Sequence, residues 1–443
     1  MFSPRNLTRL STPLRRCAFH TTARKMGLTT AQTEIVKSTA PILQVHGETI
    51  TALFYKNMIG AHPELRNVFN LTHQRTGAQP KALASSVLAY ATYIDKLEAL
   101  GPAVERIAQK HVSLGITPEQ YDIVGKYLME AIGAVLGDGL TPEVADAWTA
   151  AYGQLAGVFI KREDDLYREA GDWPGWRSFR VARREKESDT ITSFYLTPAD
   201  GKLPLPAFRA GQYISIRLMV PELGVYQARQ YSMSQGPDVG TYRISVKREP
   251  APEGVEAPGG LVSGMLHDNV QVGDEVDITI PRGEFFIDVS DASKADAPLV
   301  LISAGVGVTP LVSILNAVLG KDSAMPSRPI RWLHASRNSN QMSFHKAVRA
   351  QAAEHSNIDM QIFLDQVSEG DVKGQEYDHA GRFDVDTLDK EKDLALRDPR
   401  TEYYVCGPAP WMLALRTKLE AMGVERQNIK MELFGTGTVE DNQ

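Results

Sequence analysis

The chain has 443 residues, 43% hydrophobic and 23% charged, with Gly 35, Pro 25 and a net charge of −6. At ~100–200 residues per domain this predicts two to four domains and excludes a disordered or collagenous chain; the acidity argues against a nucleic-acid footprint, and no apolar run approaches the ~18–20 residues of a membrane span. Its only two cysteines, Cys17 and Cys406, lie far apart, which excludes a disulfide scaffold and a multi-cysteine zinc or iron–sulfur centre.

The charge is uneven. Arg5, Arg9, Arg15, Arg16, Arg24 and Lys25 all precede the first acidic residue, Glu34, with Ser and Thr between them and Phe2, Leu7, Leu10, Leu14 and Phe19 as apolar spots. This is the composition of a mitochondrial transit peptide, and also of a plain basic tail. We expect residues 1–25 to address the protein to the mitochondrial matrix. Met26 offers a second start and a cytosolic form. Without the first 25 residues the chain is more acidic than its mean.

From Thr30 to about Ala170 apolar residues recur at helical spacing, which predicts an all-α unit over residues 27–170. Leu53-Phe54-Tyr55, then His62-Pro63-Glu64-Leu65 and Val68-Phe69-Asn70, describe a helix, a sharp corner and an aromatic residue after it. Pro80 disfavours the helical region for Gln79 and puts it at a helix entrance, with Leu83, Val87 and Tyr90 on one face beyond. Between Gly101 and Ile116, Val104, Ile107, Ala108, His111 and Leu114 share a face, so His111 points into the core. A neutral imidazole there either bonds a backbone carbonyl or ligates haem iron. Thr117-Pro118-Glu119-Gln120 reads as N-cap, proline at N1 and capping-box glutamine, and Thr141-Pro142-Glu143 opens the next helix in the same style. That helix carries Trp148, Tyr152, Leu155 and Phe159 as one stripe. Glu163 continues it, and a carboxylate at the edge of a core seeks a donor.

The run Arg106-Ile107-Ala108-Gln109-Lys110-His111, with Pro118-Glu119-Gln120-Tyr121 and Lys161-Arg162-Glu163, resembles the globin domain of flavohaemoglobins. The resemblance implies that His111 is the proximal ligand of haem iron, hydrogen-bonded to Tyr121 and Glu163. It further implies that Tyr55 is the distal donor to haem-bound O₂, that Gln79 and Leu83 wall the pocket, and that Phe69 packs on the haem. A carboxylate accepting the imidazole Nδ1–H raises ligand basicity and pushes electron density onto iron, favouring O–O chemistry over carriage. Tyr55, Phe69 and Leu83 read equally well as ordinary core.

Asp172-Trp173-Pro174-Gly175-Trp176 breaks the helical pattern and reads as a linker. Alternating stretches follow at Phe179–Val181, Ile191–Leu196, Tyr213–Leu218, Tyr242–Val246 and Val276–Ile280, separated by turn signals, which predicts a small antiparallel barrel over residues 176–290. Beside a strand, the tetrapeptide Arg229-Gln230-Tyr231-Ser232 puts Arg229 and Tyr231 on one face. A guanidinium fork suits a pyrophosphate, a tyrosine ring suits a flavin, and the serine hydroxyl can reach a flavin nitrogen. Alone, that tetrapeptide is common by chance. Gly259-Gly260-Leu261-Val262-Ser263 precedes a short helical stretch, Gly264 to His267, and offers Gly260 and Ser263 at an anion-binding helix start. Glu249 to Gly260 reads as a flexible loop. These motifs, with Gly211-Gln212-Tyr213 and Pro281-Arg282-Gly283-Glu284-Phe285-Phe286, resemble the flavin domain of the ferredoxin–NADP⁺ reductase superfamily, and imply a flavin contact at Tyr213.

Asp291 to Ala297 is a second linker, and residues 296–443 read as an α/β nucleotide fold. Leu299-Val300-Leu301-Ile302-Ser303 is a buried strand passing into Ala304-Gly305-Val306-Gly307-Val308-Thr309-Pro310 and a helix through Leu319. Thr309 is expected as its cap and Pro310 at N1, with the glycines admitting a pyrophosphate; the third glycine of the dinucleotide fingerprint is absent. Further strands are expected at Ile330–Ala335, Met360–Leu364 and Thr401–Cys406, the last followed by Cys406-Gly407-Pro408 and a helix. The pair of motifs resembles the pyridine-nucleotide domain of the same superfamily and implies that Cys406 lies near the nicotinamide; its alternative reading is a small buried strand-end residue. Met431-Glu432-Leu433-Phe434-Gly435-Thr436 resembles the family segment that closes over the flavin through Glu432 and Phe434. Val308 and Thr436 depart from residues common in relatives. Ser336-Arg337-Asn338, after a strand end, either recognises a 2′-phosphate or is solvated loop.

The ordered set, from Gly27 to about Gly435, is similar to a eukaryotic, fungal-like flavohaemoglobin with a mitochondrial-type extension. It implies an all-α globin, then an antiparallel β-barrel flavin domain, then an α/β nucleotide domain, with haem b, FAD and NADPH or NADH. The implied activity is nitric oxide dioxygenase, turning NO and O₂ into nitrate, in a monomer without nucleic-acid partner or transmembrane segment. An O₂-sensing globin with a maintenance reductase, and a general NAD(P)H–flavin reductase acting on ferric iron, cytochrome or peroxide, are the rival readings.

Overall fold

The structure, a computed structural model, describes residues 27–173, 175–238, 240–251 and 259–435. The N-terminal segment 1–25, the middle of the loop after Glu249, and Thr436 lie outside the described residues. The first layer is helical: α1 (Thr30–Ser38), α2 (Ala40–Ala61), α3 (Leu71–Arg75), α4 (Ala78–Tyr93), α5 (Gly101–Val112), α6 (Pro118–Leu136) and α7 (Pro142–Glu169). The two expected helix starts form. Thr117 and Gln120 close a capping box, and the Thr141 hydroxyl accepts from Val144 N–H at 3.4 Å. Helices α2 and α4 cross closely, because a Cβ at Gly47 would stand only 3.3 Å from the Ala84 Cβ. Their core of Ile50, Phe54, Met58 and Tyr90 meets Leu128, Ile132 and Trp148. Its polar atoms are satisfied: Trp148 donates to the Thr39 hydroxyl at 3.2 Å and Tyr90 to the Ala151 carbonyl at 2.8 Å.

The second unit is an antiparallel six-stranded sheet of β1 (Arg177–Lys186), β2 (Ile191–Pro198), β3 (Tyr213–Val220), β4 (Val225–Ser232), β5 (Tyr242–Lys247) and β6 (Glu275–Ile278). Their order is β4-β3-β6-β1-β2-β5, and a bridge between Met233 and Ile244 brings the two edges together into a barrel. Phe179, Phe194, Ile214, Ile216 and Tyr242 fill it. Trp173, expected as linker, is buried and stacks on Phe179 with ring centroids 5.3 Å apart, so the crossing chain is anchored in the barrel core. Two local expectations need correction. The flavin tetrapeptide lies within strand β4 rather than beside a strand. Helix α8 (Leu261–Asp268) starts at Leu261, not Gly264, so Ser263 sits in its first turn, donating to the Gly260 carbonyl at 3.0 Å.

The third unit is a parallel sheet of β7 (Leu299–Ala304), β8 (Ile330–Ser336), β9 (Ile358–Leu364), β10 (His379–Ala380), β11 (Glu402–Cys406) and β12 (Ile429–Glu432), flanked by α9 (Val308–Val318), α10 (His345–Glu354) and α11 (Ala409–Ala421). The strand order β10-β9-β8-β7-β11-β12 places a topological switch between β7 and β11, the position where open α/β sheets bind ligands. The strands β7 and β11 are apolar and buried along almost their whole length, as central parallel strands must be. Strands β10 and β12 escape the sequence reading because both are short edges. Thr309 does not cap α9: the helix starts at Val308 after Gly307, Pro310 stands third, and the Thr309 hydroxyl donates to the Val306 carbonyl at 3.0 Å. A helix broken in by the glycines needs no side-chain cap when Thr309 ties the turn together from inside.

Candidate functional site

Three clusters meet where the helical unit, the barrel and the C-terminal segment converge. The first surrounds His111. On α5 its Nδ1 lies 2.7 Å from Glu163 Oε1 and 2.9 Å from the Tyr121 hydroxyl, and Tyr121 donates to the same Glu163 oxygen at 2.5 Å. A carboxylate only accepts, so Nδ1 carries the proton and the Nε2 lone pair is left for a ligand. Glu163 is 3% exposed, so the carboxylate at the end of the α7 stripe does find its donors. Burial, then the Glu163 charge, hold the Tyr121 phenol far above its ordinary value, which keeps it a donor. The His111 side chain stays 33% exposed between the buried Ala108 and Val112. An imidazole fixed on one nitrogen and open on the other, beside the half-exposed apolar Ile107 and Leu114, fits a flat apolar metal ligand such as haem.

The second cluster carries Tyr55, Phe69, Gln79 and Leu83. Tyr55 on α2 is buried, and Gln79, in the first turn of α4, donates to its oxygen at 3.4 Å. Burial pushes the Tyr55 phenol up to about 12, so it remains protonated at every physiological pH. The Phe69 ring stands edge-on to Tyr55 with centroids 5.4 Å apart, and Leu83 packs on the same core while remaining half-buried. Here the aromatic expected after the corner is in place. One phenol donor amid apolar side chains can hydrogen-bond a small polar ligand and little else.

The third cluster belongs to the barrel and the nucleotide sheet. Tyr213 pairs with Ser232 across β3 and β4, and Gly283 lies so close that a Cβ there would come within 2.9 Å of the Tyr213 ring. Gly211, at φ +109°, passes the Phe285 carbonyl where a Cβ would sit 2.5 Å away. Along β4, Arg229 and Tyr231 share a face as expected, and Gln230 points to the other. The Arg229 guanidinium is half-buried and bonds its neighbour's Ala228 carbonyl at 2.7 Å, which leaves donors for an anion. Gly260 and Ser263 stand at the start of α8, which has no side-chain cap; the Ser263 hydroxyl accepts from Glu249 N–H at 3.2 Å. At the switch point the motif Ala304-Gly305-Val306-Gly307-Val308-Thr309 meets Cys406-Gly407: a Cβ on Gly307 would fall 2.2 Å from the Cys406 carbonyl oxygen. Cys406 itself is fully buried, its Sγ 3.5 Å from the Glu432 carbonyl, and burial pushes its thiol well up. It is a packed strand end with a poorly acidic thiol. Ser336 is buried and Arg337 exposed at the end of β8.

Glu432, Leu433, Phe434 and Gly435 run from β12 toward the helical unit, where Lys110, next to His111, donates to the Gly435 carbonyl at 2.5 Å. Burial and the nearby Glu284 lift the Glu432 carboxyl to about 8. Phe434 is 49% exposed, a ring free to cover another group. Three residues that tie these clusters together went unassigned in the sequence. Gln109 accepts from Gly283 N–H at 3.3 Å and donates at 2.8 Å to Glu105, which Arg162 grips with two bonds. Arg282 reaches the free Leu166 carbonyl near the end of α7 at 2.8 Å. Gln227 on β4 enters the corner before α3. The neutral amides of Gln109 and Gln227 carry no periodic signal, and nothing local marks the Arg282 partner 116 residues away, so only the tertiary structure reveals these contacts.

Comparison with known proteins agrees with this architecture. A globin family model matches residues 52–159, an oxidoreductase FAD-binding domain model residues 178–287, and an oxidoreductase NAD-binding domain model residues 301–417. A flavohemoprotein of Bordetella parapertussis is 47% identical over 410 residues, covering 91% of this chain and 98% of its own. That of Bacillus subtilis is 43% identical over 406 residues, covering 91% and 96%. A crystal structure of flavohemoglobin from Malassezia yamatoensis with bound FAD and heme superposes with a TM-score of 0.79 at 29% identity, covering 93% of this chain and all of that one. No helix among the described residues is long and apolar enough to cross a membrane. The globin-like helical unit, the flavin-type barrel and the nucleotide-type sheet follow one another as in these relatives over nine-tenths of the sequence, and the chain belongs to the flavohemoprotein family.

Proposed function

We propose that this flavohemoprotein is an NAD(P)H-dependent nitric oxide dioxygenase, joining NO and O₂ into nitrate with electrons that pass from nicotinamide through FAD to haem b. The observation that carries the reading is the joint held by Glu163 between His111 and Tyr121, together with a buried, protonated Tyr55 in the same helical unit. When bound, haem supplies O₂ and NO chemistry at iron, FAD accepts hydride and releases electrons singly, and NADH or NADPH supplies the hydride. His111 presents Nε2 as the proximal donor, and Glu163 makes that donor stronger by holding the Nδ1 proton. Tyr121 fixes the Glu163 oxygen. Tyr55 would offer its hydroxyl as a hydrogen-bond donor to a small ligand held at the haem, Gln79 would aim that hydroxyl, and Phe69 and Leu83 would keep water out. Tyr213, Arg229, Gln230, Tyr231 and Ser232, with Gly260 and Ser263, seat FAD. Ala304, Gly305, Val306, Gly307, Val308 and Thr309 admit the nicotinamide nucleotide beside Cys406. Glu432, Leu433, Phe434 and Gly435 would cover the flavin; Thr436, expected with them, lies outside the described residues.

The domain limits that serve this scheme are 27–170, 176–290 and 296–443, in a chain acting as a monomer. The test is catalytic NO consumption that requires both O₂ and NAD(P)H, and turnover no faster than the background autoxidation of the haem would refute it. The basic, acid-free residues 1–25 support matrix targeting of a fungal-like form, with Met26 starting a cytosolic one. A reporter fused to residues 1–26 should enter mitochondria, and a reporter that stays in the cytosol refutes the targeting.

A further inference from the structure

Gln227 is 1% exposed, yet it belongs to the barrel and all but one of its partners belong to the helical unit. Its Nε2 donates to the Arg66 carbonyl at 2.8 Å and, more weakly, to the Phe69 carbonyl at 3.3 Å, and its own neighbour Tyr226 offers a third carbonyl at 2.9 Å. Its Oε1 accepts from Leu71 N–H at 3.1 Å. One residue back, Tyr226 N–H donates to Asn67 Oδ1 at 2.8 Å. The corner between α2 and α3 therefore has main-chain groups satisfied by a side chain of another domain rather than by its own fold. Main-chain groups shielded from water need partners, and β4 supplies them for the Arg66 and Phe69 carbonyls and the Leu71 N–H.

That corner carries Phe69, and Phe69 is the ring edge-on to Tyr55. Alternation along β4 puts Gln227 on the same strand face as Arg229 and Tyr231. One strand thus bears both the flavin-facing side chains and the amide that holds the distal corner. We propose that Gln227 is a positioning residue for the distal pocket: through it the flavin barrel sets where Phe69 stands beside Tyr55. The inference rests on the reading of Tyr55 and Phe69 as the distal wall, and it is independent of which reaction occurs there.

The test uses full-length holoprotein with Gln227→Met, which keeps the volume and removes every side-chain bond, and Gln227→Glu, which keeps the acceptor for Leu71 and turns a carboxylate on three carbonyls. Amide hydrogen exchange at residues 66–71 should rise about fivefold or more, with β3 unchanged. The C–O stretching band of the reduced CO complex should split or shift toward that of Phe69→Leu, while NADH–ferricyanide activity stays within about twofold of the parent, since the Gln227 amide is spent on the helical corner and Arg229 and Tyr231 are unaltered. A residue that only tied the domains together would lower the melting temperature without moving the CO band. Parent-like exchange and a parent-like CO band in both variants, at full haem and flavin content, overturn the inference. A shifted band in a protein that does not consume NO leaves the positioning role standing and removes the dioxygenase assignment. An unmoved band and exchange in one that does consume NO removes only the positioning role.

Discussion

Glu163→Gln is the sharpest test of the proximal arrangement, because it is isosteric and changes only charge and donor pattern. Glu163 accepts from His111 Nδ1 at 2.7 Å and from Tyr121 at 2.5 Å, and is almost fully buried. A hydrogen bond to a charged group contributes about 1.5–3 kcal/mol against about 0.5–1.5 for a neutral one, so the imidazole loses about 1–1.5 kcal/mol of preference for its anionic character. The glutamate charge stabilises the ferric over the ferrous state of iron bound to His111. Its removal therefore raises the haem midpoint potential, and at 59 mV per tenfold for a one-electron couple the loss corresponds to ~45–65 mV. Spectroelectrochemistry of the holoprotein measures it, with the flavin couple as internal control. Tyr121→Phe leaves the charge and removes one donor, so its shift should be smaller than that of Glu163→Gln. A folded, haem-loaded Glu163→Gln protein whose potential moves by less than about 10 mV, or moves downward, refutes the argument.

His111→Ala should lose or misligate haem, seen as loss of the Soret band, while NADH–ferricyanide activity survives; an unchanged haem spectrum would remove His111 from the proximal role. In Gly307→Ala the new Cβ meets the Cys406 carbonyl at 2.2 Å, main chain against main chain, with no flexible side chain to yield. Overpacking of that kind costs about 1–3 kcal/mol or more, so flavin reduction by NADH or NADPH should fall while the haem spectrum persists, and a parent-like reduction rate contradicts the close contact. Glu432 holds its proton more tightly in the folded chain, at about 8, than the ordinary carboxyl value of 4.5 in the unfolded one. Its contribution to stability is therefore complete below about 4.5 and is lost as pH rises to about 8. Melting temperatures of Glu432→Gln should decline less than those of the parent across that window; parallel curves would show that Glu432 does not titrate there.

The residues legible in the sequence share a property: each announces itself through a local constraint. His111 was placed by its apolar helix-mates, Glu163 by its intrusion on an apolar stripe, and the start of α6 by a threonine and glutamine three residues apart. Where a local rule competed with packing, the rule lost. Thr309 has the chemistry of a cap, but the glycine turn against Cys406 leaves helix α9 starting two residues earlier and turns the hydroxyl inward to Val306. Ser263 likewise lies within α8, because the turn at Gly260 lets the helix begin sooner than the composition of its first residues suggested. The cross-domain roles of Gln109 and Gln227 leave no trace in the sequence, since the groups they meet in the other domain are backbone groups. Backbone groups carry no residue identity, so a side chain recruited to satisfy them is free of any pattern. For that reason the clusters around the cofactors could be read one domain at a time, whereas the contacts by which the barrel grips α5 on one side and the Phe69 corner on the other emerge only when the domains stand together.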